Sequence, residues 1–169
     1  MAFGRGFRRK VDDHRAADPQ AVRAGGLAML ARREYASAEL TAALIRKGYA
    51  RQIVEEAVAE LAGEGLIDDA RYAGSLVRML AARGQGPTRI RQELREAGIK
   101  DDQILEVLAA GPDWSELARE VRQRKFGAES PPDWPERARQ MRFLQYRGFS
   151  KDHIASCLGA VPGVPDDDS

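Results

Sequence analysis

An all-α chain built from three tandem three-helix repeats is what this sequence predicts, and three observations carry that reading. The first is composition: of 169 residues, 27 are Ala, and Arg, Leu and Glu dominate the remainder, all of them good helix formers. The second is what is scarce, since nine Val, seven Ile and two Thr are poor material for a sheet. The third is an internal register. LIRKGYARQIVEEAV from Leu44, LREAGIKDDQILEVL from Leu94 and LQYRGFSKDHIASCL from Leu144 recur at intervals of fifty residues.

In each segment a leucine (Leu44, Leu94, Leu144) precedes a glycine by four (Gly48, Gly98, Gly148), and a large apolar residue follows the glycine (Tyr49, Ile99, Phe149). A helix ending in this way needs a residue tolerant of the left-handed conformation just past its end, and glycine supplies it. Apolar residues then stand six and ten past the glycine: Val54 and Val58, Ile104 and Leu108, Ile154 and Leu158. That spacing predicts one buried face of a following helix. Ahead of each helix–corner–helix pair lies a further helical stretch, at about 22–33, 69–82 and 114–125, with expected faces Leu27, Leu30, Ala31; Tyr72, Leu76, Leu80; and Leu117, Val121.

Start signals divide the chain in the same way. Ser37 is placed to cap the second helix of the first repeat, Asp68 or Asp69 the first helix of the second repeat, and Ser150 the last helix. Gly86-Pro87 sets proline at a first helical position, and Asp113-Trp114-Ser115-Glu116 resembles a capping box with Asp in the capping place. Gly127–Pro135, with three prolines, reads as a longer loop. The expected organisation is a basic disordered tail over 1–20, repeats over 21–65, 66–111 and 112–158, and an acidic disordered tail over 159–169.

Several function classes are disfavoured. No apolar run approaches the roughly 18 residues of a membrane span, and MAFGRGFRRK has charge but no apolar stretch behind it, unlike a secretory leader. A single cysteine, Cys157, leaves no disulfide framework, so a reducing, cytoplasmic setting is expected. His153 and Cys157 share one helix face at i, i+4, but they flank the Ile154–Leu158 core stripe, and zinc sites want three or four ligands. Gly84-Gln85-Gly86-Pro87 lacks the Lys and the preceding strand of a phosphate-binding loop. Asp68-Asp69 and Asp101-Asp102 stand at helix starts, where acids complement the helix dipole. The expectation is a protein with no cofactor, no metal and no catalytic residues.

The net charge of +1 conceals an uneven layout. Residues 1–10 hold Arg5, Arg8, Arg9 and Lys10 without an acid; residues 48–70 hold six acids against Arg51; residues 71–95 hold six arginines against Glu93. Arg71, Ser75 and Arg78 fall on one side of a helix, Arg83 follows on the glycine-rich connection, and Arg89, Arg91 and Arg95 continue on the next helix. Arg91 and Arg95 are like charges at i, i+4, mildly unfavourable unless an anion offsets them. Phosphate or an acidic protein surface would do so, although arginine outnumbers lysine 22 to 5 throughout and such faces are often only solvated. The third repeat adds Arg119, Arg122, Arg124, Lys125, Arg137, Arg139, Arg142 and Arg147, diluted by Glu116, Glu120 and Glu136. Tyr49, Tyr72, Phe143 and Phe149 sit at core-type positions, while Trp114, Trp134 and Tyr146 have no clear assignment, and Phe3 and Phe7 are interleaved with basic residues.

GLIDDARYA at 65–73 and RMLAARGQGPTRIRQELREAGI at 78–99 resemble the motif of the RecX regulatory proteins. FLQYRGFSKDHI at 143–154 is similar to that family's closing repeat and AMLARREYASAELTAALIRKGY at 28–49 to its opening one, so the resemblance spans about residues 22–158. It implies an elongated, curved, all-helical protein that binds the RecA–DNA filament and modulates it, mostly by inhibiting ATP hydrolysis, strand exchange and co-protease activity in DNA repair and SOS control. It also implies DNA binding and no catalytic residues; weak DNA binding without sequence preference, a monomer and no membrane association are expected beside it. The residues expected to meet RecA or DNA are Arg71, Arg78, Arg83, Arg89, Arg91, Arg95, Arg122, Lys125 and Arg142. Two other readings stay open: a helix-turn-helix-like protein binding duplex DNA directly, and a helical-repeat scaffold for another protein.

Overall fold

Every regular element of the computed structural model, which describes residues 16–158, is an α-helix. In chain order these are α1 (Pro19–Leu30), α2 (Ser37–Lys47), α3 (Arg51–Gly63), α4 (Asp69–Ala82), α5 (Pro87–Glu96), α6 (Asp101–Ala109), α7 (Trp114–Phe126), α8 (Trp134–Arg147) and α9 (Lys151–Leu158). They form the three three-helix repeats. The segments 1–15 and 159–169, with Phe3, Phe7, Arg5, Arg8, Arg9 and Lys10 in the first, lie outside the described residues. The helical stretch starts at Pro19, inside the segment read as a tail, because Asp18 accepts the Gln20 N–H (3.0 Å) and proline suits the first turn.

The corner glycines have the conformation the register requires, with φ of 106° at Gly48, 82° at Gly98 and 93° at Gly148. The N–H of Tyr49 donates to the Leu44 carbonyl (3.4 Å) and that of Phe149 to the Leu144 carbonyl (3.1 Å), which satisfies carbonyls the helix end would leave unpaired. Leu44, Leu94 and Leu144 are each fully buried, and Val54, Val58, Ile104, Leu108, Ile154 and Leu158 are buried as the spacing demands.

The first helix of each repeat is capped by an aspartate: Asp18 for α1, Asp68 through the Arg71 N–H (2.9 Å) for α4, and Asp113 through the Ser115 and Glu116 N–H groups (2.9 and 3.0 Å) for α7. Ser37 departs from its expected role. It lies inside α2, and its own N–H is capped by the Asp69 carboxylate (2.7 Å). Ser150 does cap α9, in a reciprocal arrangement: its hydroxyl accepts the His153 N–H while His153 Nδ1 accepts the Ser150 N–H, both at 3.3 Å. The proline-rich loop ends at Asp133, whose carboxylate accepts the Glu136 N–H (2.9 Å) and lets α8 begin with Pro135 in its first turn.

The expected faces of the first helices hold in part: Leu80 and Val121 are buried, and Leu30 and Leu117 pack half-buried on the cores. α1 buries Val22, Gly26 and Met29, leaving Leu27 and Ala31 exposed; α4 buries Ala73, Val77, Leu80 and Ala81; α7 buries Ala118, Val121 and Arg122. Small residues take the positions of closest approach. A Cβ on Gly26 would stand 3.1 Å from Leu61 Cδ1, so α1 reaches its neighbours through a side-chain-free patch.

Two compact units cut across the repeats: residues up to Tyr72 with Ala97–Ile99, and Ala73–Glu96 with residues from Lys100 onward. In the first unit α1 packs on α2 and α3, and α2 on α3, around an apolar core of Val22, Met29, Leu40, Leu44, Val54, Val58, Leu61 and Ile67. In the second unit α5 packs on α6, and α7, α8 and α9 close on one another around Ala118, Val121, Leu144, Phe149, Ile154 and Leu158.

Candidate functional site

The two units handle their charges differently. Among the described residues the first unit holds seven Lys and Arg against nine Asp and Glu, and the second fifteen against twelve. In the first unit Arg23 pairs with Glu64 (2.7 Å), Arg33 with Glu39 (2.7 Å), Arg51 with Glu55 (3.5 Å) and Arg71 with Glu34 (2.7 Å). The hydrogen bond between Arg23 and Glu64 raises the guanidinium pKa and lowers that of the carboxyl. Arg71 also donates to the Gly65 carbonyl (3.4 Å), so this first rung of the arginine ladder is engaged within the protein.

The remaining rungs belong to the second unit. Arg78 is exposed and donates only to Ser75 Oγ (3.1 Å). Arg83 and Arg89 are exposed, and Arg91 is half-buried. Arg95 has the anion that its like-charged neighbour Arg91 called for, Asp101 at 2.8 Å. Lys125 and Arg142, on α7 and α8, are both exposed.

Arg122 is an internal residue, which corrects its place among surface contacts. Only 4% of it is accessible, because its Nε donates to Gln140 Oε1 (2.8 Å) and its Nη2 to the Glu129 carbonyl, bridging α7, the following loop and α8. A buried guanidinium must be hydrogen-bonded in this way to be tolerated.

The glycine-rich connection between α4 and α5 is a docking segment. The Gly86 N–H donates to the Arg147 carbonyl (2.8 Å) and the Thr88 N–H to the Gly148 carbonyl (3.0 Å), so the segment sits directly on the C-terminal end of α8. A Cβ on Gly86 would come within 2.4 Å of the Gly148 oxygen, and one on Gly84 within 2.9 Å of Val121 Cγ2. Glycine is required here for backbone approach, the role left over once the phosphate-loop reading falls away.

This docking assembles a cationic cleft of about 190 Å³, floored by Gly84, Val121 and Phe143 and rimmed by Arg83, Arg124, Lys125 and Arg147. Arg147 lies over the Phe143 ring (5.3 Å to the centroid) and donates to the Arg83 carbonyl (3.1 Å). Glu120, 3.5 Å from Arg124, pairs with one of the four cations. In the last turn of α8 Tyr146 is 76% exposed, with the Arg89 guanidinium 6.0 Å from its ring centroid. Of the expected contact residues the structure brings Arg83 and Lys125 together in the cleft and places Arg89 near the Tyr146 ring. Sequence reasoning did not select Arg124, Arg147 or Tyr146. The register offered a signal for Arg147, which precedes its corner glycine as Lys47 precedes Gly48.

Cys157 donates to the His153 and Ile154 carbonyls (both 3.3 Å), and burial pushes its thiol pKa up, against the attraction of Arg122 and Arg119. Among the described residues no group of three or more His, Cys, Asp or Glu is placed to hold a metal, and no helix is long and apolar enough to cross a membrane.

Family models for the first, second and third three-helix domains of RecX match residues 26–61, 68–108 and 113–158. The regulatory protein RecX of Halorhodospira halophila is 46% identical over 143 residues, covering 84% of this chain and 89% of its own length. The chain belongs to the RecX family. A second relative, the regulatory protein RecX of Ectopseudomonas mendocina, is 44% identical over 142 residues, covering 83% of this chain and 95% of its own length. Among solved structures, a crystal structure of a regulatory protein RecX superposes with a TM-score of 0.72 at 25% identity, over 83% of this chain and 72% of that one. RecX from Lactobacillus salivarius shares the fold, with a TM-score of 0.72 at 22% identity, over 83% of this chain and 94% of its own. The cationic cleft draws Arg83 from the second RecX domain and Arg124, Lys125 and Arg147 from the third.

Proposed function

We propose that this chain binds the RecA–DNA filament and lowers RecA's ATP hydrolysis, strand exchange and co-protease activity, acting without catalysis of its own in the cytoplasmic control of DNA repair and the SOS response. The observation that carries this reading is family membership across all three repeats, GLIDDARYA at 65–73 and the RMLAARGQGPTRIRQELREAGI stretch included. The charge layout supports it. The second unit offers cations that no carboxylate of its own neutralises, among them Arg78, Arg83, Arg89, Lys125 and Arg142; these face DNA phosphate or acidic RecA surface. Arg71 and Arg95, already paired with Glu34 and Asp101, contribute less. DNA contact is weak, indifferent to sequence and made by the monomer.

The test is RecA's single-strand-dependent ATPase and strand exchange with the full chain added. Both fall as the chain approaches the RecA concentration, and the combined substitution of Arg78, Arg83, Arg89 and Arg91 by Ala raises the concentration needed. No change at severalfold excess over RecA overturns the reading. Tight, sequence-dependent binding to one duplex operator, falling steeply with salt, would replace it with direct DNA recognition.

A further inference from the structure

Tyr146 is the most exposed large aromatic or aliphatic side chain among the described residues, and its surroundings are unusual for a stray surface ring. It occupies the last turn of α8 with the Arg89 guanidinium 6.0 Å from its centroid, and Arg142, one turn back on the same helix, is exposed as well. Its neighbour in sequence, Arg147, belongs to the rim of the cationic cleft with Arg83 and Lys125. The backbone bonds from Gly86 and Thr88 hold the α4–α5 connection, which carries Arg83, against the end of α8 where Tyr146 and Arg147 are consecutive residues.

We infer that this corner is a seat for single-stranded nucleic acid: one backbone phosphate enters the Arg83–Lys125–Arg147 cleft, and an adjacent base stacks on Tyr146. The chemistry of the two parts suits that ligand. A single strand presents phosphate charge and unpaired π-faces together, and proteins that hold it without sequence preference combine a cationic groove with aromatic platforms. A duplex hides its base faces. An acidic peptide would satisfy the cations but has no use for a ring exposed on its flat side. The apolar floor of Val121 and Phe143 beneath the cleft lowers competition from water for the bound phosphate. Arg147 is fixed by its bond to the Arg83 carbonyl and by the Phe143 ring, so its guanidinium is preorganised. The inference rests on the proposed filament function only for the supply of single-stranded DNA, and it is tested without RecA.

The experiment is fluorescence anisotropy of a labelled oligothymidylate titrated with the full chain over a range of salt concentrations, with circular dichroism to verify folding of each variant. Tyr146→Ala is expected to weaken binding about tenfold, since one stacked base contributes roughly 1–3 kcal/mol, and to leave the salt dependence unchanged. Tyr146→Phe keeps the ring and binds as the parent does. Arg83→Gln combined with Lys125→Gln flattens the slope of log affinity against log salt by about 0.7, the share of the one single-strand phosphate that the cleft no longer neutralises. The inference is overturned if the parent chain does not bind the oligonucleotide, if Tyr146→Ala binds as tightly as the parent, or if Tyr146→Phe loses as much as Tyr146→Ala. It is equally overturned if polyglutamate displaces the oligonucleotide at matched charge concentration, which would mark the surface as a seat for acidic protein. RecA inhibition by the Tyr146→Ala chain, measured alongside, separates failure of this seat from failure of the filament reading.

Discussion

Where α1 buries Val22, Gly26 and Met29 against α2 and α3, α7 buries Ala118, Val121 and Arg122 against α8 and α9. The first repeat lets its helices meet through a glycine whose missing Cβ leaves room for Leu61. The third fills its interior partly with a guanidinium, anchored on Gln140 and on the Glu129 carbonyl. The corners are alike: the Leu–Gly pairs 44–48 and 144–148 share burial of the leucine, left-handed glycine and closing hydrogen bonds. One frame thus admits an apolar filling and a polar one. The polar filling ties the loop after α7 to α8, and Lys125 and Arg147, on those same two helices, help rim the cationic cleft.

The largest expected effect tests the shared part of the frame. Leu44→Ala and Leu144→Ala each remove a fully buried side chain from the same place in the register, at a cost of about 3 kcal/mol. Amide hydrogen exchange resolves which repeat loosens: the first substitution releases α1–α3 and the second α7–α9. Unequal costs would show that the two fillings do not support their corners equally.

Arg122→Met comes next and bears on the contrast itself. Gln140 is buried and loses its donor, so the third repeat is destabilised by about 2 kcal/mol, the usual cost of stranding a buried polar group. Adding Gln140→Leu removes the stranded amide and recovers most of that loss in urea denaturation. If stability returns but oligonucleotide binding does not, the Arg122–Gln140 pair serves to position the loop and the cleft beside it. If both return, it is merely one way of filling the core.

Much of this frame was legible because it depends on spacing. Leucine four before glycine, and apolar residues six and ten after it, are constraints that a helix end and a helix face impose on neighbours in sequence. The first helices were legible only in part, at Leu80 and Val121, because their buried edges also carry Gly26, Ala73 and Ala118, small residues that mark close approach and add little hydrophobic signal. The candidate surface was legible only as a set of cations. Nothing near Arg122 in the chain announces that Gln140, eighteen residues on, holds its side chain. Nor does GQGP announce that its backbone docks on Arg147 and Gly148 about sixty residues later, which is what gathers Arg83, Lys125 and Arg147 into one cleft.

Cys157 gives the smallest effect and a last probe of the polar filling. In the fifty-residue register it stands where the first repeat has Ala57 and the second Val107, so it belongs to a packing position. Burial pushes its thiol pKa up, while the Arg122 and Arg119 guanidiniums pull the other way. Only the thiolate is nucleophilic, and a free cysteine ionises near about 8.5. Alkylation of Cys157 in the folded chain is therefore slower than in the urea-unfolded chain at neutral pH, with the midpoint of its rate profile at higher pH. A raised value means that the stability gained by burying the neutral thiol is full below the unfolded midpoint. It declines as pH rises from there to the folded midpoint. Arg122→Met removes the larger of the two opposing charges, and the folded midpoint moves higher still. A midpoint that stays in place in that variant would mean that the guanidinium is held by Gln140 and Glu129 too far from the sulfur to matter, and that the third repeat's polar filling ends at α8 without reaching α9.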